Sequence, residues 1–183
     1  MKEGVRILAV ACAPTDKKKT LLVGLVSRMG YMEGVVSTKV TVDGTDSTDK
    51  IIELLKRSRF GEQVRVVLLN GLGVAGLNIL DVRAFEKSTK TRVISLTRKR
   101  PRPNELIKAL RAFSRTEKVG VSGRIRLVES FKKLNCVKAG GFFLQTTLLK
   151  GEVSKFATGS FELLRLAHII ASGVTEGESK GRI

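Results

Sequence analysis

Three aspartates, Asp43, Asp46 and Asp49, recur at intervals of three and form the densest carboxylate group of an otherwise basic chain. Clusters of this kind hold divalent cations for phosphoryl chemistry, because Mg²⁺ and Mn²⁺ prefer hard, negatively charged oxygen. The elements that must position them are legible. Val36, Thr38, Val40 and Val42 alternate with Val35, Ser37, Lys39 and Thr41, the two-residue period of a half-buried antiparallel strand. Asp43-Gly44 is a turn pair. Thr45, Asp46 and Ser47 are candidate helix N-caps, and Asp49 falls in the first turn, where the helix dipole favours negative charge. A turn aspartate and a helix cap account for Asp43 and Asp46 as well as catalysis does. His168, the one histidine, lies on the polar stripe Arg165, His168, Ser172 of an otherwise apolar last helix and is the remaining catalytic candidate.

Charge points to the partner. Among 183 residues, 34 are Lys or Arg and 17 are acidic, a formal net charge of +17. An excess of one sign favours anionic partners, nucleic acid first and an anionic membrane surface second. No apolar run is long enough to span a membrane. The nucleic-acid-binding candidates are Lys17, Lys18 and Lys19 at one turn, Arg57 in the first helix, and Arg98, Lys99, Arg100 and Arg102 after a strand. Eight Phe, one Tyr and no Trp argue against a surface that stacks single-stranded bases. One histidine and two distant cysteines, Cys12 and Cys136, cannot make a zinc finger. Without a signal-peptide pattern the chain is expected to be cytoplasmic, with reduced thiols.

The element order sets the fold expectation. Apolar strands at Val5–Cys12 and Thr20–Ser27 join the strand before Asp43 through short connections, so the first three strands form a meander. A helix carrying Ile51, Leu54 and Leu55 follows, then a strand at Val64–Leu69 ending in Asn70-Gly71. A second helix is expected over about Asn78–Lys87, a fifth strand over Thr91–Leu96, and a third helix opening at Pro103. Further on, Arg124–Leu134 has helical spacing, Phe142–Leu149 is apolar after Gly140-Gly141, and Phe161–Ser172 is helical. This layout predicts an α/β, ribonuclease H-like fold, with a mixed five-stranded sheet of order 3-2-1-4-5 flanked by helices. Residues 1–173 are expected to form the single domain and 174–183 a disordered tail.

Several segments resemble a known family: Lys2-Glu3-Gly4-Val5-Arg6-Ile7-Leu8, Tyr31-Met32-Glu33-Gly34-Val35, Thr38 to Asp46, and Arg165 to Gly173. They are similar to an archaeal family known as domain of unknown function 99, a relative of endonuclease V. The resemblance implies a ribonuclease H-like fold and kinship with metal-dependent nucleases. Members usually carry an Asp-Asp pair in the slot that here reads Ala11-Cys12, and an Asp in the slot that here is Asn70. The metal candidates that remain are Asp43, Asp46 and Asn70, the last with only a neutral carbonyl oxygen. They would make a weak Mg²⁺ or Mn²⁺ site, since a thiol such as Cys12 is poorly matched to these ions.

The leading expectation is a nucleic-acid-binding protein that resembles endonuclease V and has a degenerate metal site. Two alternatives stay open. One is an active metal-dependent endonuclease on structured or modified RNA or DNA; the other is a non-catalytic oligomer or scaffold subunit, with the third strand as a pairing edge.

Overall fold

The computed structural model describes residues 4–13, 18–153 and 156–179. Its centre is the strand β1 (Arg6–Cys12), whose Leu8, Ala9 and Val10 are essentially inaccessible to solvent. β1 pairs antiparallel with β2 (Lys19–Arg28), and β2 pairs antiparallel with β3 (Tyr31–Thr41). On its other side β1 runs parallel to β4 (Val64–Asn70), which runs parallel to β7 (Arg92–Thr97). The expected order 3-2-1-4-5 is therefore present, but the sheet has seven strands rather than five. β8 (Asn135–Ala139) and β9 (Phe142–Thr146) form a hairpin, and β9 adds antiparallel to β7. Gly140 and Gly141, at φ of 58° and 81°, make the tight turn whose twist suits such a hairpin.

Helices cover both faces. α1 (Ser47–Arg57), α2 (Val82–Thr89), α3 (Pro103–Glu117) and α4 (Ser122–Ser130) share one core with Leu8, Val67 and Phe85. On the opposite face α6 (Ala157–Glu176) packs Leu163, Leu164 and Ala167 against Ala9, Leu68 and Ile94, with the short α5 (Lys150–Val153) beside it. No helix among the described residues is long and apolar enough to cross a membrane.

Three local expectations shift. The second helix begins at Val82 because Asp81 caps it, its carboxylate accepting from Ala84 N at 2.9 Å. Asn78 and Ile79 instead form β6, which pairs with β5 (Gly73–Val74). Arg124–Leu134 divides into the end of α4 and a 3₁₀ turn at Phe131–Lys133. The last helix runs to Glu176, so its final turn extends into the segment expected to be disordered. The third strand is a sheet edge, as expected. Near its start Glu33 is an extra residue between the Met32–Ser27 and Gly34–Val26 pairs, and its carboxylate holds Arg6 at 2.6 Å and Arg28 at 3.0 Å.

Candidate functional site

Parallel pairing of β1, β4 and β7 brings their carboxyl ends to one edge of the sheet, and the antiparallel β2 and β3 add Lys19 and Thr41 there. A cavity of about 390 Å³ opens at the ends of β1 and β4. Ala11, Cys12 and Asn70 line it from the sheet, Gly73–Gly76 from the loop that follows, and Leu164 and His168 from α6. The structure thus brings His168 together with Asn70, Ala11 and Cys12. His168 Nε2 lies 3.5 Å from Ser172 Oγ, one helical turn on. Burial pushes the Cys12 thiol up to about 12, against an opposing hydrogen bond from the Ala75 backbone. Burial thus favours the neutral thiol over the thiolate, which makes Cys12 a poor nucleophile.

Asp43 and Asp46 do not line this cavity. Asp43 adopts a left-handed conformation, φ 54°, and its Oδ1 accepts from Leu77 N at 2.7 Å. Its backbone N–H donates to Ala75 O at 3.0 Å. A Cβ on Gly76, which sits at φ 78°, would collide with the Asp43 carboxylate, so only glycine fits there. Asp46 is the residue before α1, yet its side chain makes no capping bond. It turns back instead, accepting from Thr41 Oγ1 at 2.8 Å, Thr41 N at 3.2 Å and Asn78 Nδ2 at 2.7 Å. Burial raises the Asp46 pKa, but the hydrogen bonds from Thr41 and Asn78 outweigh it and hold the carboxyl below the usual carboxylate range. The capping role passes to Asn78, whose Oδ1 accepts from Ser47 N at 3.0 Å.

The donor set bears on a metal. Among the described residues no three His, Cys, Asp or Glu side chains stand where they could hold one ion. The cavity supplies an amide, an imidazole and a thiol, while Asp43 and Asp46 stand outside it, bonded to Leu77 N and to Thr41 and Asn78 respectively. This set does not suit Mg²⁺ or Mn²⁺, which need charged oxygen.

Two residues that sequence reasoning passed over hold this edge together. Asn78 is fully buried and ties β3, α1 and β6. Arg124, 6% exposed, donates from Nη1 to Asp43 O at 2.7 Å and Leu77 O at 3.3 Å, with its guanidinium 5.0 Å from the Phe113 ring centre. Asn78 carried a signal, a polar residue inside a run of apolar ones. Arg124 was hidden among many exposed arginines.

The basic candidates separate. Lys18 and Lys19 are exposed beside the Asp43 turn, where Lys18 O accepts from Val42 N. Lys17 lies outside the described residues. Arg98 lines a second cavity of about 190 Å³ that shares Asn70 and Leu164 with the first, and its guanidinium stacks 5.0 Å from the Phe161 ring centre. Phe161 also stacks on Phe142, at 4.7 Å. Lys99, Arg100 and Arg102 continue outward, Arg102 paired with Glu105 at 2.8 Å. Arg57 does not join them. It ends α1, about 15 Å along the helix from Ser47 at ~1.5 Å per residue, beside Val36–Thr38 and paired with Glu53.

Residues 3–175 match the model of the family described as endonuclease dU. The chain belongs to the endonuclease dU family. A protein of the UPF0215 group from Methanothermobacter thermautotrophicus is 38% identical over 190 residues, covering 99% of this chain and 93% of the relative. A crystal structure of a protein of unknown function from Archaeoglobus fulgidus superposes with a TM-score of 0.81 at 30% identity, over 92% of this chain and 97% of that one. Human endonuclease V superposes with a TM-score of 0.55 at 14% identity, over 92% and 83%, a likeness of fold. The fold of the endonuclease dU family is thus the ribonuclease H-like one of endonuclease V, and these sequence relatives are archaeal.

Proposed function

We propose that this member of the endonuclease dU family binds nucleic acid at the carboxyl edge of its sheet and lacks a working two-metal cleavage centre. One observation carries the reading: the cavity where β1 and β4 end has no Asp or Glu among its lining residues. Two-metal phosphoryl transfer clamps the attacking and leaving oxygens between ions about 3.5–4 Å apart, and carboxylates must offset that charge. Ala11, Cys12 and Asn70 offer none. Nucleic-acid binding is supported by the net charge and by Lys18, Lys19, Arg98, Lys99 and Arg100 exposed around this edge.

Within this reading Asn70 and His168 serve as hydrogen-bonding groups at the cavity wall, and Asp43 and Asp46 shape the turn beside it. DNA containing dU, which the family's description names, is the first ligand to try, with undamaged DNA and RNA as comparisons. Binding followed by fluorescence anisotropy is expected to weaken steeply with salt, as counterion release requires, and none of the three is expected to be cut in Mn²⁺. No binding to any of them at low salt overturns the reading. Cleavage that disappears in His168→Ala or Asp43→Ala establishes the opposite one, an active nuclease.

A further inference from the structure

The positive charge is not spread evenly. Residues 98–139 hold thirteen Lys and Arg against three acids, and every one of the thirteen except Arg124 is exposed. Three of the thirteen lie on α3. Lys108, Arg111 and Arg115 recur at intervals of three and four, which places them on one helical face. Ala109 and Ala112, also exposed, leave the helix surface around them without bulk. No acid occurs between Leu106 and Thr116. Among the described residues these three cations make no ion pair, whereas Arg57, Arg92 and Arg165 each have a carboxylate within 3.3 Å. An unpaired cation stripe is an unfavourable self-repelling surface unless an anion neutralises it. Nor is the stripe isolated. Arg98 stands at the wall of the cavity beside Asn70, and Lys99, Arg100 and Arg102 lead from it directly into α3. From Arg102 to Arg115 this track runs about 20 Å, at ~1.5 Å per helical residue.

We propose that the exposed face of α3 is a second contact surface, which grips the phosphate backbone of a DNA duplex on the stretch flanking the segment at the cavity. This rests on the nucleic-acid reading above and extends its footprint. Phosphate contacts made by Lys and Arg give affinity and register without reading bases, so the surface is sequence-blind. A DNA duplex of mixed sequence is the probe. The test compares wild type with Lys108→Gln/Arg111→Gln/Arg115→Gln, exposed positions on a helix that glutamine suits, and with Lys56→Gln/Arg83→Gln/Lys87→Gln, which removes equal charge from α1 and α2.

The slope of log K against log salt is expected to become shallower by about 2 to 3 in the α3 variant, near 0.9 per lost contact, and to stay at the wild-type value in the control. An α3 variant with wild-type affinity and slope overturns the inference and leaves the nucleic-acid reading standing. Equal losses in both variants overturn it too, because they report net charge rather than a surface. A wild-type protein that binds no DNA overturns the reading and the inference together. Capture of an acidic protein by this face, with DNA affinity unmoved in the variant, assigns the surface to a different partner and overturns it as well.

Discussion

Two places on the same sheet edge differ in an instructive way. The turn after β3 is rich in carboxylates, with Asp46 accepting from Thr41 and Asn78 and Asp43 Oδ1 from Leu77 N, but neither side chain lines the cavity. The cavity after β1 and β4 is open, and carries no carboxylate. Charge in the sequence therefore does not by itself make a metal site. What matters is whether lone pairs remain unclaimed around a space that an ion could enter, and here the lone pairs and the space are in different places.

Several experiments break or sharpen that contrast. The largest effect is expected at the turn: Gly76→Ala places a Cβ against the Asp43 carboxylate in a left-handed backbone and should destabilise the fold by about 3 kcal/mol, read as a lower urea midpoint. The cavity should respond to restored charge. In Cys12→Asp/Asn70→Asp two carboxylates face one space, so the variant should be destabilised without metal and regain about 2.7 kcal/mol when Mn²⁺ reaches 100 times its Kd. Wild type should show no Mn²⁺-dependent shift in Tm. A variant equally indifferent to Mn²⁺ would show that the missing carboxylates are not what separates the two regions.

Asp46→Ala should cost about 1–2 kcal/mol in denaturant titration, because Asn78 Nδ2 and the Thr41 hydroxyl lose an acceptor. The smallest effect is in pH. The folded-state pKa of Asp46 is depressed, so its contribution is complete above the ordinary aspartate value and disappears as pH falls through the lower folded value. Wild type should therefore lose stability over that acid window more steeply than Asp46→Ala, and parallel profiles would show that the carboxylate is not specially held.

The five central strands were legible because their apolar runs and short connections leave few pairings open, and the order 3-2-1-4-5 follows from three meandering strands and two reached through helices. The β8–β9 hairpin was obscured because Cys136, apolar by type, shares the exposed face of β8 with Lys138 and so hides the alternation, although Gly140-Gly141 marked the turn. At the site, the sequence showed which residues were polar but not where their side chains turn. Asp46 occupies a capping position and still points back to Thr41, because Asn78, 32 residues away, satisfies the helix in its place. Such long-range exchanges of partner leave no periodic trace. Arg57 illustrates the same limit for charge: it belongs to a basic cluster in sequence but sits a helix length from the edge where the others gather.

The extra residue at Glu33 has a consequence for crowding. β3 is an eleven-residue edge whose backbone groups could template further strands from neighbouring copies. The bulge breaks its repeat near one end, where Arg6 and Arg28 clamp the Glu33 carboxylate, and Lys39 projects a charge near the other. A second copy of this edge would meet an interrupted ladder beside the exposed Tyr31, Met32 and Val35, so the bulge limits how far a paired strand can extend along the apolar end of β3.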